Sequence, residues 1–287
     1  MALQEYNKNL SKNKKIETDN WYLDYVLLDE KYVVPVKLYK QNKNKKYNFI
    51  SYNKTEISKE KFRTISQPIW DPNFELVNKP YRGFWASTYT PELSYNSSWE
   101  EYLAKRGKGI GEHNINECRK GVLFNLKDNS KIIVIDCIED LEHLIYNFEI
   151  DKCCYNDIVN AILNDEIKYS DKYTKEEIEE RIDVLKNYKD IYPKQLNYYY
   201  LSKHFDGIYL TKQGASQLTE YGFYVSSDFD MSYCPFKKNE LNKQYNLEYW
   251  DIESLLLFNI DCIDLENQNK FNKIKKPRKV KYVNWKL

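Results

Sequence analysis

Three short runs rich in aromatic and β-branched residues, WYLDYVLLD, KYVVPVKLYK and YNFISYN, crowd into the first 53 residues, separated only by Asn/Lys-rich segments. Side chains of these types fit a pleated, half-buried surface, so the runs read as β-strands. No glycine occurs before Gly83, and the turns between the strands must use another chemistry. The reading predicts a small antiparallel β element over 16–60, either a separate module or the edge of the main domain, preceded by a flexible, polar, lysine-bearing arm over 1–15.

From Lys61 the texture changes. KFRTISQPIWDPNF reads as a strand that ends near Pro68, because proline lacks a donor and restricts the residue before it. RGFWASTY follows as a second strand. Ser98 then stands as N-cap before Trp99, Glu100 and Glu101, which predicts a helix to about Arg106. GVLFNL and KIIVIDC read as strands. Helical patterns come next in IEDLEHLIYNF, YNDIVNAILNDEI, TKEEIEERIDVLKNYKD and PKQLNYYYLSKHF. FDGIYLT, YGFYVSS and DIESLLLFNID return to strand. Strands that flank a helical middle define an α+β fold rather than a parallel βαβ series.

Charge narrows little: 44 basic and 43 acidic residues leave a net charge of +1, so no global field selects nucleic acid or an acidic substrate. The last stretch, KFNKIKKPRKVKYVNWKL, holds eight bases and no acid and reads as a solvated basic tail over 266–287. Six cysteines lack zinc or disulfide spacing, so the expectation is no metal and a reduced, cytoplasmic setting. There is no apolar leader and no run near the roughly 18 apolar residues of a spanning helix, so no membrane contact is expected. RGKGIG, Arg106 to Gly111, lacks the strand and the Lys-Ser or Lys-Thr of a phosphate loop and reads as a loop. His113, His143 and His204 share no motif, and no Gly-x-Ser-x-Gly elbow is present.

The carboxylates of EYWDIESLLLFN are more informative. In a strand, residues two apart face one side, so Asp251 and Glu253 project together at the mouth of the apolar run LLLF. Like charges so close raise each other's cost of ionisation, and at the edge of a buried run that implies a use or a partner. KFRTISQP likewise carries polar groups on both faces: Arg63 and Gln67 on one, Thr64 and Ser66 on the other. In GFWASTY two bulky aromatics give way to Ala86, Ser87 and Thr88, small enough for a ligand to approach the backbone.

This order resembles the ADP-ribosyltransferase superfamily. KPYRGFWAST, SSWEEYL, HFDGIYL and WDIESLLLFN with its terminal NIDCI are similar to a phage and bacterial group with a Lys-Pro-x-Gly-Leu-Trp-x-Ser strand, a Trp-bearing helix, a Tyr-Asp-Gly-Ile strand and a Trp-Asp-x-x-Ser strand. The resemblance runs from about Phe62 to Ile263 and implies an NAD-binding domain over 61–265. The implied architecture is a split pair of small antiparallel sheets, with flanking helices, clamping NAD as substrate between them. Glu253 is then the catalytic glutamate, bonded to the nicotinamide ribose 2′-hydroxyl and stabilising an oxocarbenium-like transition state, a task shared with glycosidases. Asp251 stands where related enzymes orient the acceptor. Ser87 and Thr88 match a Ser-Thr pair that positions the glutamate and the ribose, and Trp85 or Tyr89 stacks on the nicotinamide. The group has Ser-His before its first proline; this chain has Ser66-Gln67, and Arg63 or Arg82 is the alternative NAD anchor.

The resemblance therefore implies an NAD-dependent ADP-ribosyltransferase acting on a macromolecule as a phage effector or bacterial toxin against a host or defence component. An NAD glycohydrolase with the same site, and a non-enzymatic inhibitor on a degenerate fold, are the alternatives. No base-reading motif is present, so a protein acceptor in the cytoplasm is favoured over nucleic acid. The sequence does not fix the oligomeric state.

Overall fold

Among the described residues the chain forms nine strands, interleaved with four helices. A computed structural model of the chain describes residues 18, 21–28, 32–52, 54–62, 65, 80, 83–106, 115–148, 174, 176, 179, 196–221, 250 and 252–273. In chain order the elements are β1 (Trp21–Leu28), β2 (Tyr32–Tyr39), β3 (Phe49–Tyr52), β4 (Phe84–Thr88), α1 (Ser98–Arg106), β5 (Lys120–Phe124), β6 (Ile132–Ile135) and α2 (Ile138–Phe148). They continue with α3 (Tyr198–His204), β7 (Gly207–Leu210), α4 (Lys212–Tyr221), β8 (Ser254–Leu257) and β9 (Asn269–Asn272). The chain is α+β, and its strands form one mixed sheet in the order β1-β2-β6-β7-β8-β4-β3-β5-β9. Among the described strands only β6 and β7 run parallel.

β4 is the pivot of this sheet. Phe84, Trp85 and Ala86 pair with Leu257, Leu256 and Leu255 of β8, whereas Ser87 and Thr88 pair with Ile50 and Phe49 of β3. The expected division into two sheets is thus a change of partner along one strand. Gly83 enters β4 with φ of 91°, a conformation glycine adopts without strain. Gly207 lets β7 approach β8: a Cβ there would lie 2.4 Å from the Leu256 carbonyl oxygen.

Both faces of the central strands are covered, as their unbroken apolar runs require. Ile133, Ile135, Ile208, Leu210 and Leu256 face a core closed by Leu141, Leu144 and Phe148 of α2, with Leu201 of α3 and Ala215 of α4. On the opposite face Val134, Tyr209, Leu255 and Leu257 join Phe49, Phe84 and Phe124. Phe49 of β3 meets the Tyr209 ring edge-on at 6.1 Å, although two strands lie between β3 and β7, so the sheet curls around this second core. Tyr39 closes the curl, 5.4 Å from Phe49 and 5.3 Å from Tyr209.

Several expectations change. The first three strands form as read, but β3 sits in the sheet interior and β2 joins β6, so all three share one sheet with the later strands. Phe62 is extended after a short 3-10 turn over Lys59–Lys61, and Ile65 is in no strand; the rest of KFRTISQP lies outside the described residues. β8 begins at Ser254, so Glu253 precedes the strand. α4 occupies a stretch without a helical pattern, where the Thr211 hydroxyl accepts from the Gly214 amide. The basic tail starts later than expected, because Asn269–Asn272 adds an edge strand to β5. Most of YNDIVNAILNDEI, TKEEIEERIDVLKNYKD and YGFYVSS, the 107–111 part of RGKGIG, the 1–15 arm and the end of the tail lie outside the described residues.

Candidate active site

Glu253 owes its position to a local lock. The Trp250 indole N–H donates to the Ser254 hydroxyl, which donates in turn to the Ile252 carbonyl at 3.0 Å. The spacing of WDIES is what lets the indole reach that serine, and the resulting turn sets Glu253 just ahead of β8. Trp85 packs edge-on against Trp250 at 5.1 Å and buttresses the turn from behind.

The Glu253 side chain is half-buried and takes three hydroxyl bonds from three different elements. Thr88, at the end of β4, donates to Oε1 at 2.7 Å, and Tyr209 of β7 donates to the same oxygen. Ser98, the first residue of α1, donates to Oε2 at 2.5 Å. Each hydroxyl has one proton. With both protons on Glu253, the 3.1 Å approach of Thr88 Oγ1 to Tyr209 OH is not itself a hydrogen bond. Two carboxylate oxygens offer about four acceptor positions, so the three bonds from described residues leave one, on Oε2. Among the described residues no ion pair reaches Glu253, so its partners there are neutral.

Burial first, and then the negative charge of Glu253, pushes the Tyr209 hydroxyl well above its ordinary pKa. Tyr39 is raised for the same two reasons. Tyr209 therefore stays a proton donor throughout the working pH range.

α1 is held so that Ser98 can reach the glutamate. The Ser97 hydroxyl, not that of Ser98, caps the helix: it accepts from the Glu100 amide at 3.1 Å and bonds the Tyr52 hydroxyl at 3.0 Å. Glu100 is only 1% exposed. Its carboxylate accepts from the Asn96 amide and side chain at 2.9 and 2.7 Å and pairs with Lys273, just after β9.

The residues expected from sequence fall into three sets. Glu253 and Thr88 meet. Ser87 is buried, and strand alternation turns it with Trp85 to the face away from Thr88. Tyr89 donates its amide to Asn48 O at 2.8 Å and sets its ring 6.1 Å from Phe271. Asp251, Arg63, Ser66, Gln67 and Arg82 lie outside the described residues. Two contributors lie outside the sequence reading. The sequence places Ser98 at the helix cap, a role that falls to Ser97. Tyr209 reads as a strand residue, although a tyrosine inside a fully buried strand needs a partner for its hydroxyl.

Among the described residues no three His, Cys, Asp or Glu side chains gather as a metal-binding group, and no helix is long and apolar enough to cross a membrane. Burial pushes the Cys118 and Cys137 thiols up to about 12, which leaves them poor nucleophiles and ligands.

Fold and site together define an α+β protein that presents a hydroxyl-clamped carboxylate at the pivot of a curled sheet. Comparison of the chain with family models, with curated proteins and with solved structures finds no match.

Proposed function

We propose that the protein is an NAD-dependent ADP-ribosyltransferase, with Glu253 as its catalytic carboxylate and a macromolecule as acceptor. The observation that carries this reading is the clamp on Glu253: three neutral hydroxyls hold the carboxylate and leave one acceptor position on Oε2. That position suits a sugar hydroxyl of the donor. The charge, with no cation paired to it among the described residues, is available to a neighbouring centre that becomes positive as nicotinamide leaves. Preorganised charge of this kind is the strongest single means of stabilising such a transition state. The motif resemblance and the curl of the sheet at β4 support the same reading.

The test is nicotinamide release from NAD by the wild type and Glu253→Gln. Loss of the carboxylate lowers the rate by on the order of 100-fold or more. Mass spectrometry of proteins and nucleic acids for added ADP-ribose then separates transfer from hydrolysis to free ADP-ribose. A wild type that leaves NAD intact under conditions where it retains a biological effect overturns the reading in favour of a binding protein.

A further inference from the structure

Beyond Glu253, a cavity of about 530 Å³ opens where β2 ends and the β5–β6 turn begins. Its size falls within the roughly 300–1,000 Å³ of small-molecule sites. Glu253 is not among its lining residues, but Tyr39 is, and the Tyr39 ring also meets Tyr209, which holds Glu253. The cavity therefore shares a wall with the carboxylate site.

Its chemistry is specific. Lys40, Lys43 and Lys127 line it against a single acid, Asp128, which is itself bound by Lys43 at 2.8 Å. That pair is exposed on both sides and contributes little in water, so a ligand anion competes with it at little cost. The loop after β2 carries Lys40, Lys43, Lys45 and Lys46 and no acid. Tyr22 and Tyr39 add aromatic surface to the cavity. The frame is pinned by amides: Gln41 accepts from Leu126 N at 2.8 Å, and Asn125 accepts from Asn48 N at 2.8 Å and donates to Lys46 O at 2.9 Å. Ammonium groups and phenol rings around a preformed cavity fit an anion that carries a planar ring. A carboxylate peptide would satisfy the lysines and leave the rings unused. Phosphate contacts joined to aromatic stacking are the general means of holding nucleotides.

We propose that this cavity binds a phosphate-bearing nucleotide, free or at the end of a single strand. Resting on the transferase reading, that nucleotide belongs to the acceptor, which differs from the protein acceptor expected from sequence.

The test measures fluorescence anisotropy of a short labelled single-stranded oligonucleotide on the full chain, with AMP, inorganic phosphate, polyglutamate and NAD as competitors. The expected result is saturable binding, displaced by AMP but not by equal concentrations of phosphate or polyglutamate. Lys43→Glu with Lys127→Glu weakens it by about tenfold or more and flattens its salt dependence by roughly two contacts, with thermal unfolding unchanged. Oligonucleotide binding much tighter than AMP identifies a strand as the ligand; equal affinities identify a free nucleotide. Affinity unchanged in the double variant, equal displacement by polyglutamate, or no binding of either nucleotide probe overturns the proposal. So does stoichiometric displacement by NAD, which would make the cavity part of the donor site. Glu253→Gln binds the oligonucleotide as the wild type does. A wild type that binds the oligonucleotide yet leaves NAD intact therefore refutes the enzyme reading alone.

Discussion

Ser98 Oγ lies 2.5 Å from Glu253 Oε2, joining the first turn of α1 to the entrance of β8 across 155 positions of sequence. Because Ser97 caps the helix, the Ser98 hydroxyl is free to serve the carboxylate. Ser98→Ala removes the only described donor to Oε2 and lets that oxygen turn. A hydrogen bond to a charged group contributes about 1.5–3 kcal/mol, so nicotinamide release should fall roughly 10- to 100-fold. The helix itself should survive, with thermal unfolding within a few degrees of wild type. A rate equal to wild type would remove Ser98 from the clamp.

The approach of β7 to β8 sets where Tyr209 meets Glu253. A methyl group at Gly207 would lie 2.4 Å from the Leu256 carbonyl oxygen, a backbone atom with no rotamer to change. Gly207→Ala must therefore push β7 away, at about 1–3 kcal/mol, and carry the Tyr209 hydroxyl with it. Chemical denaturation should show the lower midpoint. Tyr209→Phe, which deletes the hydroxyl and leaves the backbone in place, should lower NAD turnover without the clash. Full stability in Gly207→Ala would mean that the two strands are less tightly apposed than the structure has them.

Much of this fold is legible in the sequence because most of its strands are short runs rich in apolar residues and bounded by polar segments. FDGIYLT and KIIVIDC need no tertiary information to be read as strands, and IEDLEHLIYNF carries a clear helical period into α2. What cannot be read is partnership. That β3 crosses the middle of the sheet rather than completing a separate module depends on pairing with β4 and β5, and no local pattern encodes it. α4 hides behind Gly214 and a run of small polar residues that weaken its period. At the site, Glu253 and Thr88 are visible because their residue types are unusual where they stand. Ser98 is hidden by a one-residue ambiguity in which of two adjacent serines caps a helix. The WDIES spacing is visible, but its use as an indole-to-hydroxyl lock is not.

Lys273 follows the edge strand β9 and neutralises Glu100, which is 1% exposed while the lysine side chain is 36% exposed. Removing one partner of a fully buried pair costs about 3–5 kcal/mol. Lys273 is a third open to water, so a smaller loss on the order of 2 kcal/mol is expected for Lys273→Met. The second change Glu100→Gln, which removes the stranded charge, should restore part of it in a double-mutant cycle. Because Glu100 also fixes Asn96 ahead of α1, Lys273→Met should lower NAD turnover through Ser98. Stability equal to wild type in the single variant would show that the pair does not hold the helix.

His143 gives the fold a pH dependence independent of Glu253. Its Nε2 donates to the Pro35 carbonyl at 2.7 Å, on a stretch of β2 that pairs with β6 only at Leu38, and Asn147 contacts its Nδ1 at 3.3 Å. One ring nitrogen donates and the other accepts, so the buried imidazole is held neutral. Burial lowers its pKa from the ordinary value of 6.5, outweighing the Pro35 carbonyl and Asp140, which act to raise it. With the folded pKa below the unfolded one, the unfolded chain binds more protons between the two values, and unfolding free energy falls as pH falls. The stability linked to this group is thus complete above about pH 6.5 and is lost as pH drops toward the lowered folded value. His143→Gln can still donate to Pro35 but does not titrate. Denaturation midpoints followed from pH 7.5 to 5 should fall less steeply in His143→Gln than in wild type, and parallel slopes would exclude His143 as the titrating group.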